Sequence, residues 1–158
     1  MKRSALFSPD RSYRYDLWRT WDDAKRTVVF IGLNPSTANE NEDDATVRRC
    51  IAFAATWGYG SLCMLNLFAY CATDPAQMKR AADPIGASNN GHILDVLGGA
   101  GLSIAAWGVH GEHLGRDREL LRLIPWRLHC LGMTKDGHPR HPLYLSKLSR
   151  PAVFKTAA

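Results

Sequence analysis

No stretch of this chain approaches the ~18 uninterrupted apolar residues that a membrane-spanning helix requires, so no membrane-spanning role is expected. The first ten residues, Met1 to Asp10, hold nothing like the apolar centre of a secretion signal, and the expected location is cytoplasmic. Cysteine is scarce. Cys50, Cys63, Cys71 and Cys130 form no C-x-x-C pair and stand among apolar neighbours, which argues against a zinc site and against a disulfide framework; buried free thiols are expected. His110 with His113, and His138 with His141, have a helical ligand interval but no clear third ligand, so no metal and no other cofactor is expected. Internal repeats, linkers and low-complexity tracts are also missing, and no obligate protein partner is foreseen.

What remains is an ordinary globular balance, 46% hydrophobic and 22% charged residues, which excludes disordered, collagen-like and coiled-coil readings. At 158 residues the chain has room for one domain, residues 1–158, able to bury about 68–70% of its unfolded surface without metal or disulfide support. Lys and Arg outnumber Asp and Glu by 20 to 15. The acidic stretch Glu40 to Asp44 stands alone, while basic residues crowd both ends and the region after residue 115, a distribution compatible with an anionic partner.

Apolar runs alternating with helix-length segments predict a three-layer α/β/α sandwich over residues 25–150, around a short, mainly parallel sheet of about four strands. The strands are expected at 27–33, 61–66, 102–107 and 126–132, the helices at 45–57, 74–80, 87–97 and 111–123, and a short closing helix after the last strand. Residues 1–24 read as an appended hairpin turning at Pro9-Asp10-Arg11. Trp18, Trp21, Trp57, Trp107 and Trp126 are expected mainly in core or hairpin packing. In open parallel sheets the site lies beyond the carboxyl ends of the strands, which selects Gly32 to Ser36, Asn66, Gly108 to Gly111 and the segment Met133 to Ser146.

Those residues carry a resemblance. Phe30-Ile31-Gly32-Leu33-Asn34-Pro35-Ser36 resembles the first motif, G-I-N-P-G, of the mismatch-specific branch of the uracil-DNA glycosylase superfamily. His141-Pro142-Leu143-Tyr144-Leu145-Ser146 is similar to that superfamily's second motif, H-P-S-P-L-S, and Leu65-Asn66 to its strand-end asparagine. Over its whole length the chain looks more like a bacterial domain-of-unknown-function family, DUF1643, marked by Tyr13-Arg14-Tyr15, Leu33 to Ala38, Asp43-Asp44-Ala45-Thr46 and Arg140 to Tyr144. Two departures from the glycosylase pattern stand out: Ser36-Thr37 replace the glycine-led turn, and Leu143-Tyr144 replace the Ser-Pro that shapes the loop inserted into a duplex.

The superfamily resemblance implies a uracil-DNA-glycosylase-like fold and an enzyme hydrolysing the N-glycosidic bond of a uracil-like, mismatched or modified base in DNA. That chemistry needs charge of both signs stabilised, because the sugar turns oxocarbenium-like while the base leaves as an anion. On this reading Asn34 positions water, and Asn34→Asp alters or raises hydrolysis. His141 bonds the departing base, Asp43 or Asp44 activates water, and Asn66, with Phe68 or Tyr70 stacking and Gly32 and Pro35 shaping the pocket, reads the base. Tyr144 or Leu145 is the wedge, and Arg48, Arg140, Ser146, Lys147 and Arg150 face DNA. Plainer readings stand beside these: Asn34 as a turn residue, Asn66 as a structural hydrogen bonder, His141 as a backbone partner, Asp43 or Asp44 as a helix cap, Arg48 and Arg49 as a solvated face. Two alternatives of function also stand: a non-catalytic module holding an extruded base, and an enzyme of free nucleotides or nucleosides.

Overall fold

The computed structural model describes residues 1–154. Its centre is set by two strands, β3 (Thr27–Gly32) and β4 (Ser61–Asn66), paired in parallel from Thr27↔Ser61 to Gly32↔Asn66. Side chains alternate across a strand, so these apolar runs feed two cores. Val29, Ile31, Cys63 and Leu65 join one, with Met78, Ile93, Leu97 and Leu120 from α2 (Pro75–Arg80), α3 (Asn89–Gly98) and α4 (Arg116–Leu123). Val28, Phe30, Leu62 and Met64 join the other, with Val47, Cys50, Phe53 and Ala54 of α1 (Ala45–Thr56). Helices therefore cover both faces of the sheet.

The sheet is larger and more mixed than the sequence predicts. Among the described residues it has seven strands in the order β1-β2-β4-β3-β5-β6-β7. β3 pairs in parallel with β4 and with β5 (Leu102–Ala105), and β5 with β6 (His129–Cys130), whereas the other three neighbouring pairs are antiparallel. The expected hairpin forms from β1 (Lys2–Phe7) and β2 (Arg14–Thr20), but it is not an appendage: β2 pairs with β4, Leu17↔Met64 to Thr20↔Ser61, and extends the sheet. Strand pairing is a long-range event between residues some 45 positions apart, and nothing in the local pattern of residues 14–20 announces it.

Three further expectations change. The fourth strand shrinks from 126–132 to His129–Cys130, because Trp126, 44% exposed, and Arg127 lie at the surface beside Pro125. Trp126 is thus not a core residue. The helix expected over 111–123 is a 3₁₀ segment, Val109–Gly115, followed by α4, with His113 extended and Leu114 and Gly115 left-handed between them. In place of a closing helix there is a 3₁₀ turn, Pro142–Tyr144, and a strand, β7 (Ala152–Val153), antiparallel to β6. All four cysteines are free, and three are buried. Among the described residues no helix is long and apolar enough to cross a membrane.

Candidate functional site

Backbone bonds continue the β3–β4 pairing past the strand ends. Leu67 N–H donates to Gly32 O and Phe68 N–H to Leu33 O, both at 2.9 Å, and Ala72 N–H reaches Pro35 O at 2.9 Å. The loop after β5 is tied to the C-terminal segment by Gly108 N–H on Pro139 O at 2.8 Å. These ties gather the carboxyl ends of β3, β4 and β5, the start of α1 and His141 around one cavity of about 340 Å³. Asn34, Asn66, His141, Asp44, Gly32 and Pro35 all line it.

Asn34 spends both amide hydrogens on its surroundings, with Nδ2 donating to Pro35 O at 3.0 Å and Ala72 O at 2.8 Å. Its Oδ1 is the unspent atom, an acceptor able to hold water. The same bonds bear on Asn34→Asp: a carboxylate has no hydrogen to donate and would face two carbonyl oxygens. Asn66 is 4% exposed, and its Nδ2 has no partner among the described residues. Gly32 makes room for it, since a Cβ there would stand 2.9 Å from Asn66 Oδ1. Behind Asn66, Asn89 Nδ2 donates to the carbonyls of Asn66 and Leu67 at 3.0 and 3.1 Å, and Arg116 Nε to Leu67 O at 2.8 Å.

His141 caps the Pro142–Tyr144 turn, its Nδ1 accepting from Leu143 N–H at 3.2 Å. That bond puts the proton of the neutral ring on Nε2, which makes it a donor. Burial holds the imidazole pKa below its ordinary value, with Asp44 pulling the other way, so the ring is neutral at pH 7. Asp44 is the N-cap of α1, Oδ1 accepting from Val47 N–H at 2.8 Å. The cap and the cavity carboxylate are one residue.

Other expected site residues are placed elsewhere. Asp43 is bound to Arg19 Nε at 2.7 Å and Arg3 Nη1 at 3.3 Å and does not line the cavity, because its charge is committed to holding the loop. Phe68 is fully buried in the core against His113 and cannot stack on a ligand. Tyr70 packs edge-on to Tyr13 at 5.8 Å, outside the cavity wall. Leu145 packs on the α1 core, its carbonyl accepting from Arg49 Nη2, so it is no free wedge. Arg49 is accordingly not a solvated residue, whereas Arg48 is exposed, with Nη1 on Asp43 O at 2.8 Å. Tyr144 protrudes at 85% exposure, as does Leu148 at 86%, and Arg140, Ser146, Lys147 and Arg150 are exposed on the same segment.

Among the wall residues that sequence reasoning missed are Arg14 of β2 and Trp107 after β5; His110, on the selected Gly108 to Gly111 loop, also lines the cavity, its Nδ1 3.0 Å from Lys79 Nζ. Arg14 is 3% exposed, and burial lowers its pKa against the attraction of Asp44. Its signal was a charged residue inside the aromatic run Tyr13-Arg14-Tyr15. No group of three or more metal-ligating side chains occurs among the described residues.

A mixed seven-stranded sheet with helices on both faces and a cavity of small-molecule size at the strand ends defines an α/β protein. The chain belongs to the family described as protein of unknown function, DUF1643, which matches residues 14–143 and so takes in every lining residue named above. No curated protein and no solved structure matches it. The likeness to the uracil-DNA glycosylase superfamily therefore rests on the motifs alone.

Proposed function

We propose that the cavity receives a nucleobase extruded from DNA and that the chain hydrolyses its N-glycosidic bond. The observation that carries this reading is the convergence of Asn34, Asn66, His141 and Asp44 on one cavity of about 340 Å³. The C1′–N bond breaks with its electron pair passing to the base, and the Nε2–H of neutral His141 bonds the base oxygen where that charge collects. Asn66 presents one acceptor and two donors to an imide edge. Water held on Asn34 Oδ1 adds to C1′, and the Asp44 carboxylate faces the cationic sugar and takes the water's proton. Tyr144, projecting beside His141, is suited to fill the gap left in the stack, with Arg140, Lys147 and Arg150 toward phosphates.

The test is strand cleavage after alkali on oligonucleotides bearing uracil, mismatched thymine or oxidised pyrimidines. Wild type is expected to leave abasic sites on at least one of them and His141→Ala to lose roughly 100- to 1,000-fold in rate, the usual cost of removing a donor from a developing anion. Binding of these oligonucleotides with no cleavage by wild type would replace excision with a holding role.

A further inference from the structure

Among the described residues, eight buried side-chain atoms lack a hydrogen-bond partner, and three of them belong to residues lining this one cavity: Arg14 Nε, Asn66 Nδ2 and Trp107 Nε1. All three are donors. With His141 they bring unspent donors to residues around a cavity that also holds the acceptors Asn34 Oδ1 and Asp44, and unspent buried donors call for acceptors on a ligand.

Arg14 narrows that chemistry. A guanidinium carries five N–H donors and no acceptor. The protein acceptor that Arg14 has is Ala38 O, 3.0 Å from Nη1. Arg19, five residues on in the same strand and 0% exposed, shows what a structural arginine looks like here. Its Nε donates to Asp43 Oδ1 at 2.7 Å, its Nη1 to Trp18 O at 2.8 Å, and its Nη2 to Asn39 O at 2.5 Å and Glu42 O at 3.3 Å. Among the described residues, the loop after β3 thus supplies several acceptors to Arg19 and one, Ala38 O, to Arg14, whose side chain lines the cavity. Among the described residues no carboxylate forms an ion pair with Arg14; Asp44 shares the cavity, but its Oδ1 is committed to Val47. An arginine edge left unspent beside a cavity is suited to an oxyanion, which it binds through two parallel N–H bonds.

We propose that Arg14 seats a phosphate oxygen of the nucleotide whose base occupies the cavity; this rests on the nucleobase reading above. The phosphate is either the terminal group of a mononucleotide or a diester flanking the extruded nucleoside, and the chemistry at Arg14 is the same.

The experiment has two arms. In the first, calorimetry compares deoxyuridine and the four ordinary deoxynucleosides with their 5′-monophosphates. In the second, oligonucleotides carrying the target base are compared with the same oligonucleotides bearing uncharged methylphosphonates on either side of it. Hydrogen bonds to a charged partner correspond to roughly a 10- to 100-fold gain in affinity, and that gain is expected from the phosphate in one arm for wild type. Arg14→Gln is expected to abolish it, and Arg14→Lys, which keeps the charge without the two-pronged edge, to reduce it at least about threefold. Should Arg14→Gln fail to fold, the lysine variant alone decides. A phosphate gain in the first arm assigns a mononucleotide and in the second the polymer backbone. No phosphate gain in either arm, or a gain that both variants keep, overturns the proposal. A phosphate gain that depends on Arg14 with no base excision by wild type would sink the glycosidic reading and leave the phosphate seat standing.

Discussion

The loop after β3 has two ends that treat the same chemistry differently. Around Asn39 to Asp43 it closes on Arg19 with a carboxylate and two of its carbonyls, and the buried charge becomes a clamp. Around Asn34 to Ser36 it faces the cavity, and Arg14, almost as deeply buried and bonded to Ala38 O just beyond, keeps most of its donors unspent. Burial of an arginine says little about its role; what decides is whether the fold supplies its acceptors. Where it does, the residue holds structure. Where it does not, the shortfall marks a place for something the chain itself lacks.

The contrast is open to direct attack. Arg19→Ala leaves Asp43 and the loop carbonyls without their donor and should cost about 3–5 kcal/mol in urea unfolding, whereas Arg14→Gln should stay within about 1 kcal/mol of wild type; equal losses would erase the distinction. Next comes His141→Ala, where a 100- to 1,000-fold drop in excision corresponds to about 2.7–4 kcal/mol in the barrier, with a much smaller change in unfolding. Gly32→Ala sets a methyl against Asn66 Oδ1 and displaces that amide, for which a loss of about 100-fold in activity is expected with the melting temperature little changed; full activity would remove Asn66 from the site. Asp44→Ala should cost about 1 kcal/mol through the lost cap, and Asp44→Asn should restore most of that stability without restoring activity.

The smallest effect is a pH dependence. His141 has a native pKa lowered by burial, against about 6.5 in the unfolded chain, so between the two the unfolded chain binds the extra proton. The stability tied to its neutral form is fully present above about pH 6.5 and is lost as the pH falls toward the native value. Urea midpoints measured down through that window should decline for wild type and decline less for His141→Gln.

Much of the central sheet was readable. β4 lies at 61–66 as expected, β3 and α1 each end one residue short of expectation, and α2 begins one residue later, at Pro75, because each is punctuated by its own Pro, Gly or capping Asp. The four cavity residues drawn from motifs and strand ends, Asn34, Asn66, Asp44 and His141, share one cavity. What escaped were roles set by distant partners. Phe68 looks free beside Asn66 until α3, α4 and the 3₁₀ segment close over it, and Leu145 looks like a wedge until Arg49 of α1 takes its carbonyl. Asp43 and Asp44 are indistinguishable in line; Arg19, from another strand, separates them.

The residues alone determined where the central strands and α1 begin and end, since alternation, caps and chain-breaking residues act within a few positions of themselves. Tertiary structure decided that the N-terminal hairpin joins the sheet beside β4, and so that Arg14 reaches the strand-end cavity at all. Its donors stay unspent because the acceptors lie on a loop that another arginine has already drawn away.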